Sequence, residues 1–171
     1  MNKGHKRHSY EERIDLAGEY RWGDAGQLLL LVIFIIGMVS DLFILNISSS
    51  WQNVIPWYFR ILVFIPIFFV SGYFAQSGLK KVFREERKKL EVIRSGVFGI
   101  VRHPIYLGSI LVFLSFVILS LSIASLIIWF VIIVFYYCLS RYEERLLIEK
   151  LGKDYRDYMN EVPMLIPRIR K

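Results

Sequence analysis

Residues 101–145 read VRHPIYLGSILVFLSFVILSLSIASLIIWFVIIVFYYCLSRYEER. Two apolar runs fill this stretch, from about Pro104 to Leu121 and from about Ile123 to Leu139, with only LSIAS between them. A link that short joins helices that run antiparallel, so we expect a tight helical hairpin. Its tip carries no charge. Arg102 and His103 stand at one mouth, and Arg141, Glu143 and Glu144 stand at the other. Pro104 suits the first turn of a helix, where its missing N–H costs nothing. The hairpin therefore carries both charged mouths to the same end.

Composition extends that reading to the whole chain. It has 171 residues, of which 55% are hydrophobic and 22% charged, with a net charge of +7. Such a mixture demands segregation, apolar blocks in lipid and charged blocks in water. Two further apolar runs lie upstream, Gln27 to Ile47 and Trp57 to Leu79. At 1.5 Å per residue the first spans roughly 31 Å, enough for a bilayer core. The expected fold is all-α: one polytopic membrane domain, residues 1–171, with four transmembrane helices at 27–47, 57–79, 104–121 and 123–139. Pro66 lies inside the second run and is read as tolerated there.

Charge distribution orients the spans. Lys and Arg concentrate in residues 1–25, in the 80–103 connector and in the 140–171 cap, while SSSWQNVIP and LSIAS hold none. By the positive-inside rule those three segments, both termini included, are cytosolic. The polar first 25 residues, with Glu11, Glu12, Asp15, Glu19 and Asp24, do not resemble a cleavable signal. Ser9-Tyr-Glu-Glu12 fits a capping box opening a short helix to about Tyr20, which lies either on the membrane surface or in the cytosol as a lead-in. Beyond the fourth run the helical pattern continues toward Gly152, a helix-ending residue, and KDYRDYMNEV makes another short helix. Cys138 is the single cysteine, so no internal disulfide framework exists.

Two charges interrupt the apolar runs. Asp41 falls late in the first and Arg60 early in the second, at similar depth near the outer face. Either they pair with each other, or each snorkels outward separately.

No phosphate-cradling glycine loop, HExxH or Ser/His/Asp spacing is present, and no aromatic-basic module points to nucleic acid. His5 and His8 are too loose a pair to name a metal site, and none is expected. What remains is the cytosolic end of the hairpin. His103 and Tyr106 point the same way on a first helical turn, Glu143 lies on the neighbouring helix, and Arg102 is expected at the polar boundary. Glu144 is read as solvated beside Arg141 and Arg145. A carboxylate with an imidazole and a helix N-terminus suits a ligand bearing both a cationic and an anionic end.

At these residues the chain resembles the isoprenylcysteine carboxyl methyltransferases and the related integral-membrane methyltransferases, the phospholipid N-methyltransferases among them. SGVFGIVRHPIYLG looks like the family's Gly-Val-Tyr-x-x-x-Arg-His-Pro-x-Tyr-x-Gly, EERLLIEKLGKDYRDYM like its Glu-Glu followed by Phe-Gly-x-x-Tyr-x-x-Tyr, and VPMLIP like its Val-Pro ending. The likeness covers roughly Leu90 to Pro167. It implies S-adenosylmethionine as methyl donor and S-adenosylhomocysteine as product, in a cytosolic pocket. By position the donor would touch Leu90, Glu91, Val92, Ile93, Phe98, His103, Pro104, Ile105, Tyr106 and Glu143. The acceptor would be a lipophilic small molecule carrying a carboxylate, thiol or amine, reaching the site from the bilayer. Where the prenylcysteine enzymes carry an acceptor-binding Arg four residues before the donor's Glu, this chain has Leu139, with Arg141 the nearest substitute. Relatives also carry Arg at the position of Glu161. Sterol reductases resemble the same fold and use NADPH, and a non-catalytic membrane scaffold is the third reading.

Overall fold

The computed structural model describes residues 23–84 and 91–168. The expected helix near Tyr10–Tyr20, the His5/His8 pair and Leu90 lie outside the described residues. All regular structure within them is helical. Helix α1 (Gly23–Ser40) runs into a π-helical turn, Asp41–Leu45. Then come a short α2 (Ser49–Val54) and the long α3 (Trp57–Leu79), which holds Pro66 without ending there. A 3-10 turn (Gly96–Gly99) precedes α4 (Pro104–Ser120), α5 (Ile123–Leu151) and α6 (Lys153–Glu161).

Three of these helical stretches, Ala25–Leu45, Trp57–Val82 and Ile123–Leu151, are long and apolar enough to cross a membrane. Of the four expected spans, the third is the short one: α4 has 17 residues, about 26 Å of rise. The long helices leave Leu28, Ile36, Leu62, Phe69, Ile127 and Val134 exposed. Water would penalise so much bare hydrocarbon, whereas lipid accepts it. The chain is thus a multi-pass membrane protein by length and composition of its helices.

Helix α4 lies at the centre. It meets α3 through Gly108, where an added Cβ would stand 2.8 Å from Ala75 N and 2.9 Å from Ser71 O, so only a hydrogen fits between the two backbones. Phe64 and Phe116 cross edge-to-face between the same helices. Helix α5 follows after only Leu121 and Ser122. Leu121 adopts a left-handed conformation, and Ser122 caps α5 by accepting from Ser125 N at 3.1 Å. Trp129 of α5 donates to the Ile110 carbonyl of α4 at 2.9 Å. Helix α1 closes the core, with Phe34 edge-on to Phe113 at 4.9 Å. Phe34, Ile110, Phe113, Val117, Ile132, Tyr136, Leu139 and Leu165 form the buried cluster.

Asp41 and Arg60 do not pair, and Asp41 does not snorkel outward either, so the first sequence reading is overturned and the second fails for Asp41. Asp41 is fully buried and accepts from Ser48 Oγ at 2.5 Å, Ser122 Oγ at 2.6 Å, Ser48 N at 3.2 Å and Ala124 N at 3.3 Å. Arg60 donates instead to the carbonyls of Ile55, at 2.9 and 2.8 Å, and of Gln52. Each charge has found a helix end of opposite polarity: the anion at the start of α5, the cation at the end of α2. Helix termini carry orphaned backbone groups that need partners anyway, so these bonds satisfy two needs at once.

Candidate functional site

The chain reaches the site through a bend and a backbone seam. Residues 102 and 103 pair with the C-terminal tail: Arg102 N donates to the Pro163 carbonyl at 2.9 Å and His103 N to that of Met164 at 3.2 Å. The proline-marked VPMLIP tail is thereby pinned beside the start of α4. Gly152, at φ +58°, ends α5 in a conformation that glycine adopts without strain and reverses the chain into α6. Helix α6 packs Tyr155, Tyr158 and Val162 against Val92, Leu147, Ile148 and Leu151. Tyr158 Oη donates to the Phe98 carbonyl at 2.6 Å, so α6 also holds the turn before α4.

At the mouth of α4 and α5 five side chains interlock. Tyr106 donates its hydroxyl to Glu143 Oε1. The other Glu143 oxygen stands 3.6 Å from His103 Nδ1. His103 Nε2 lies 3.3 Å from Glu144 Oε1, which also accepts from Arg102 Nε at 2.7 Å. Arg102 goes on to donate to the carbonyls of Met159 (2.8 Å) and Val162 (2.6 Å), the last turn of α6. The His103 and Tyr106 rings are parallel, 5.6 Å apart, and Tyr136 follows at 5.1 Å from Tyr106.

One expectation is corrected here. Glu144 is not solvated: only 2% of it is exposed. It forms an ion pair with Arg102, both side chains largely buried. The reason is helical spacing. Tyr136, Ser140 and Glu144 recur every four residues on the inner stripe of α5, all three buried. That stripe was legible in the sequence, but the adjacent Arg141 and Arg145 suggested a solvated stretch.

The donor-motif residues separate into groups. His103, Tyr106 and Glu143 come together. Pro104 is buried and Ile105 packs on α3, where a Cβ at Gly78 would meet its Cγ1 at 2.7 Å. Val92 and the Phe98 carbonyl serve the α6 side. Glu91 is exposed and Ile93 half-buried. Arg141, expected to orient the acceptor, is exposed and is rotated about 200° around α5 from Glu143. Leu139 is buried in the apolar cluster instead. Arg94, in the strap before the 3-10 turn, binds Glu161 at 2.8 Å and the Asp154 carbonyl at 3.0 Å. Sequence reasoning had missed Glu144, Arg102 and Tyr136.

The two carboxylates of the site have different partners. Arg102 is matched to Glu144, which leaves the Glu143 carboxylate held by a phenol and an imidazole. Burial pushes the His103 imidazole below its ordinary range; Glu144 pulls the other way, and Arg102 adds to the lowering. Glu144 Oε2 is buried with no hydrogen-bond partner among the described residues, and so is Ser140 Oγ one turn away. Two neighbouring carboxylates, a buried acceptor atom and an aromatic face can suit a cationic cosubstrate that carries hydrogen-bond donors.

The comparisons with known proteins give this membrane protein a family. The phospholipid methyltransferase family model matches residues 59–154, more than half of the chain, and the chain belongs to that family. Among curated proteins it is similar to the methanethiol S-methyltransferase of Crocosphaera subtropica, 32% identical over 107 residues that cover 60% of this chain and 41% of that protein. It is also similar to the methanethiol S-methyltransferases of Pseudomonas deceptionensis, 25% identical over 155 residues (86% and 58%), and of a further Pseudomonas strain, 26% identical over 159 residues (82% and 56%). The chain spans about half the length of these relatives. No solved structure matches it.

Proposed function

We propose that the protein transfers a methyl group from S-adenosylmethionine to a small lipophilic acceptor at the membrane–cytosol interface. The observation that carries this reading is the Glu143 carboxylate, fixed by Tyr106 and His103 at the mouth of α4 and α5. The bound donor supplies a methyl group on a positively charged sulfur, ready for direct displacement. Glu143 attracts that cation, and the Tyr106 face stabilises positive charge further. Glu144 and Arg102 hold His103 in register with Glu143, so little reorganisation remains for the moment of reaction. The strap with Glu91, Val92, Ile93 and Phe98 covers the donor from the α6 side.

The fold supports a cytosolic site. We take α4 as a fourth, short span, paired with α5 in a hairpin. All the charged connections then fall on one side with both termini. A lipophilic acceptor enters from the bilayer while the donor enters from water. The relatives' shared name points to a thiol as the acceptor class. An NADPH-dependent reductase gains no support from the family match.

The test is ligand-dependent unfolding of the purified protein in detergent. S-adenosylhomocysteine raises the Tm and NADPH leaves it unchanged. Glu143→Ala and His103→Ala lose the shift while remaining folded. If the parent shows no shift, or both variants keep it, the reading is wrong.

A further inference from the structure

Beyond Tyr106, on the side away from His103, lies a polar group that the donor site does not use. Tyr136 is 3% exposed and sits among Phe34, Ile110, Phe113 and Leu139. Its hydroxyl reaches Gln27 Oε1 of α1 at 3.4 Å, a long bond, and Ser109 of α4 is its other polar neighbour. A phenylalanine would give the same ring contacts without burying a hydroxyl, and buried hydroxyls cost free energy unless well paired. Helix α1 is drawn close at this level. A Cβ on Gly26 would stand 2.8 Å from the Phe135 ring, so the glycine lets Gln27 approach Tyr136.

We infer that Tyr136, with Gln27 and Ser109, forms the acceptor subsite of this enzyme and selects an uncharged or thiol-type nucleophile over a carboxylate. The inference rests on the donor reading above. The rings run His103, Tyr106, Tyr136 in order, at 5.6 and 5.1 Å, so Tyr136 is the next polar contact on the lipid side of the donor's anchor. Its phenol can donate to a sulfur atom, which accepts hydrogen bonds weakly and needs no cation. Leu139 on the same stripe of α5 supplies apolar contact and no positive charge. A carboxylate brought here would find no cationic side chain among Tyr136, Gln27, Ser109 and Leu139 to hold it.

The experiment uses the full chain in detergent, with methanethiol, ethanethiol and an S-prenylated cysteine as acceptors and S-adenosylhomocysteine for donor binding. Tyr136→Phe is expected to raise KM for the thiols about 5- to 10-fold, the loss of one hydrogen bond, while the S-adenosylhomocysteine shift stays parental. Gln27→Leu should move KM the same way. The prenylcysteine should be the poorest acceptor of the parent. If both variants keep the parental KM and the parental donor shift, the subsite is wrong and the donor site stands. If Tyr136→Phe loses the donor shift, the phenol serves the donor and the subsite is again wrong. If Tyr136→Phe does not fold, Gln27→Leu decides alone by its KM. A parent without any donor shift overturns the donor reading and this subsite together.

Discussion

Asp41 accepts a 2.6 Å hydrogen bond from Ser122, 81 positions later in the chain. The carboxylate that opens the π-helical turn after α1 thereby caps α5, a 29-residue helix, from another element. Ser48 completes the clamp by accepting from Ile123 N at 2.8 Å while donating to Asp41. Asp41→Ala should leave the α5 terminus and two serine hydroxyls short of their acceptor. We expect a loss of about 2 kcal/mol, typical of hydrogen bonds to a charged group. Thermal unfolding in detergent measures it. Arg60→Ala should not reproduce the effect, because Arg60 binds the carbonyls of Gln52 and Ile55 and not Asp41.

The Arg102–Glu144 pair gives a second prediction. Side chains only 9% and 3% exposed hold opposite charges 2.7 Å apart. Removing one partner strands the other in a poor solvent, at about 3–5 kcal/mol. Glu144→Gln and Arg102→Met should each lower the Tm sharply, and the double Arg102→Met/Glu144→Met variant should recover part of the loss. A double variant as unstable as the sum of the singles would contradict this account.

His103 makes stability depend on pH. Burial lowers its pKa, so the fold prefers the neutral ring although Glu143 and Glu144 flank it, with Arg102 and Tyr106 also in contact. In the unfolded chain the imidazole takes up a proton near its ordinary value of about 6.5. Below that pH the unfolded state binds more protons than the fold, and stability falls as pH falls from about 7 toward the lowered folded pKa. Tm measured between pH 7.5 and 5.5 should decline for the parent and decline less for His103→Asn. Parallel curves would remove His103 as the cause.

Two glycines of the α3–α4 region should behave oppositely. A methyl at Gly108 meets the α3 backbone at 2.8 and 2.9 Å, while one at Gly72 meets nothing within 4 Å. Gly108→Ala must push α3 and α4 apart, at about 1–3 kcal/mol. Gly72→Ala should change stability by less than about 0.5 kcal/mol. Unfolding of the two variants side by side separates a packing requirement from a general intolerance of glycine substitution.

The amino-acid sequence by itself determined the helical class, the placement of the long apolar runs and the helix-ending role of Gly152. Each follows from local rules: hydrocarbon must meet lipid, and a residue at positive φ is most easily glycine. It also placed His103, Tyr106 and Glu143 together, because a two-residue link between α4 and α5 leaves few ways for their far ends to lie. Only tertiary structure decided which groups those ends would match. By depth Asp41 could have paired with Arg60, yet it caps the α5 terminus, whose first amides lack partners within the helix. Glu144 and Glu143 are neighbours in sequence, yet the 100° step between helical residues turns one inward to Arg102 and the other toward Tyr106. The seam from Arg102 and His103 to Pro163 and Met164 joins segments some 60 residues apart, and no local pattern announces such a bond. Partner choice depends on distances across the fold, and those exist only once the helices have packed.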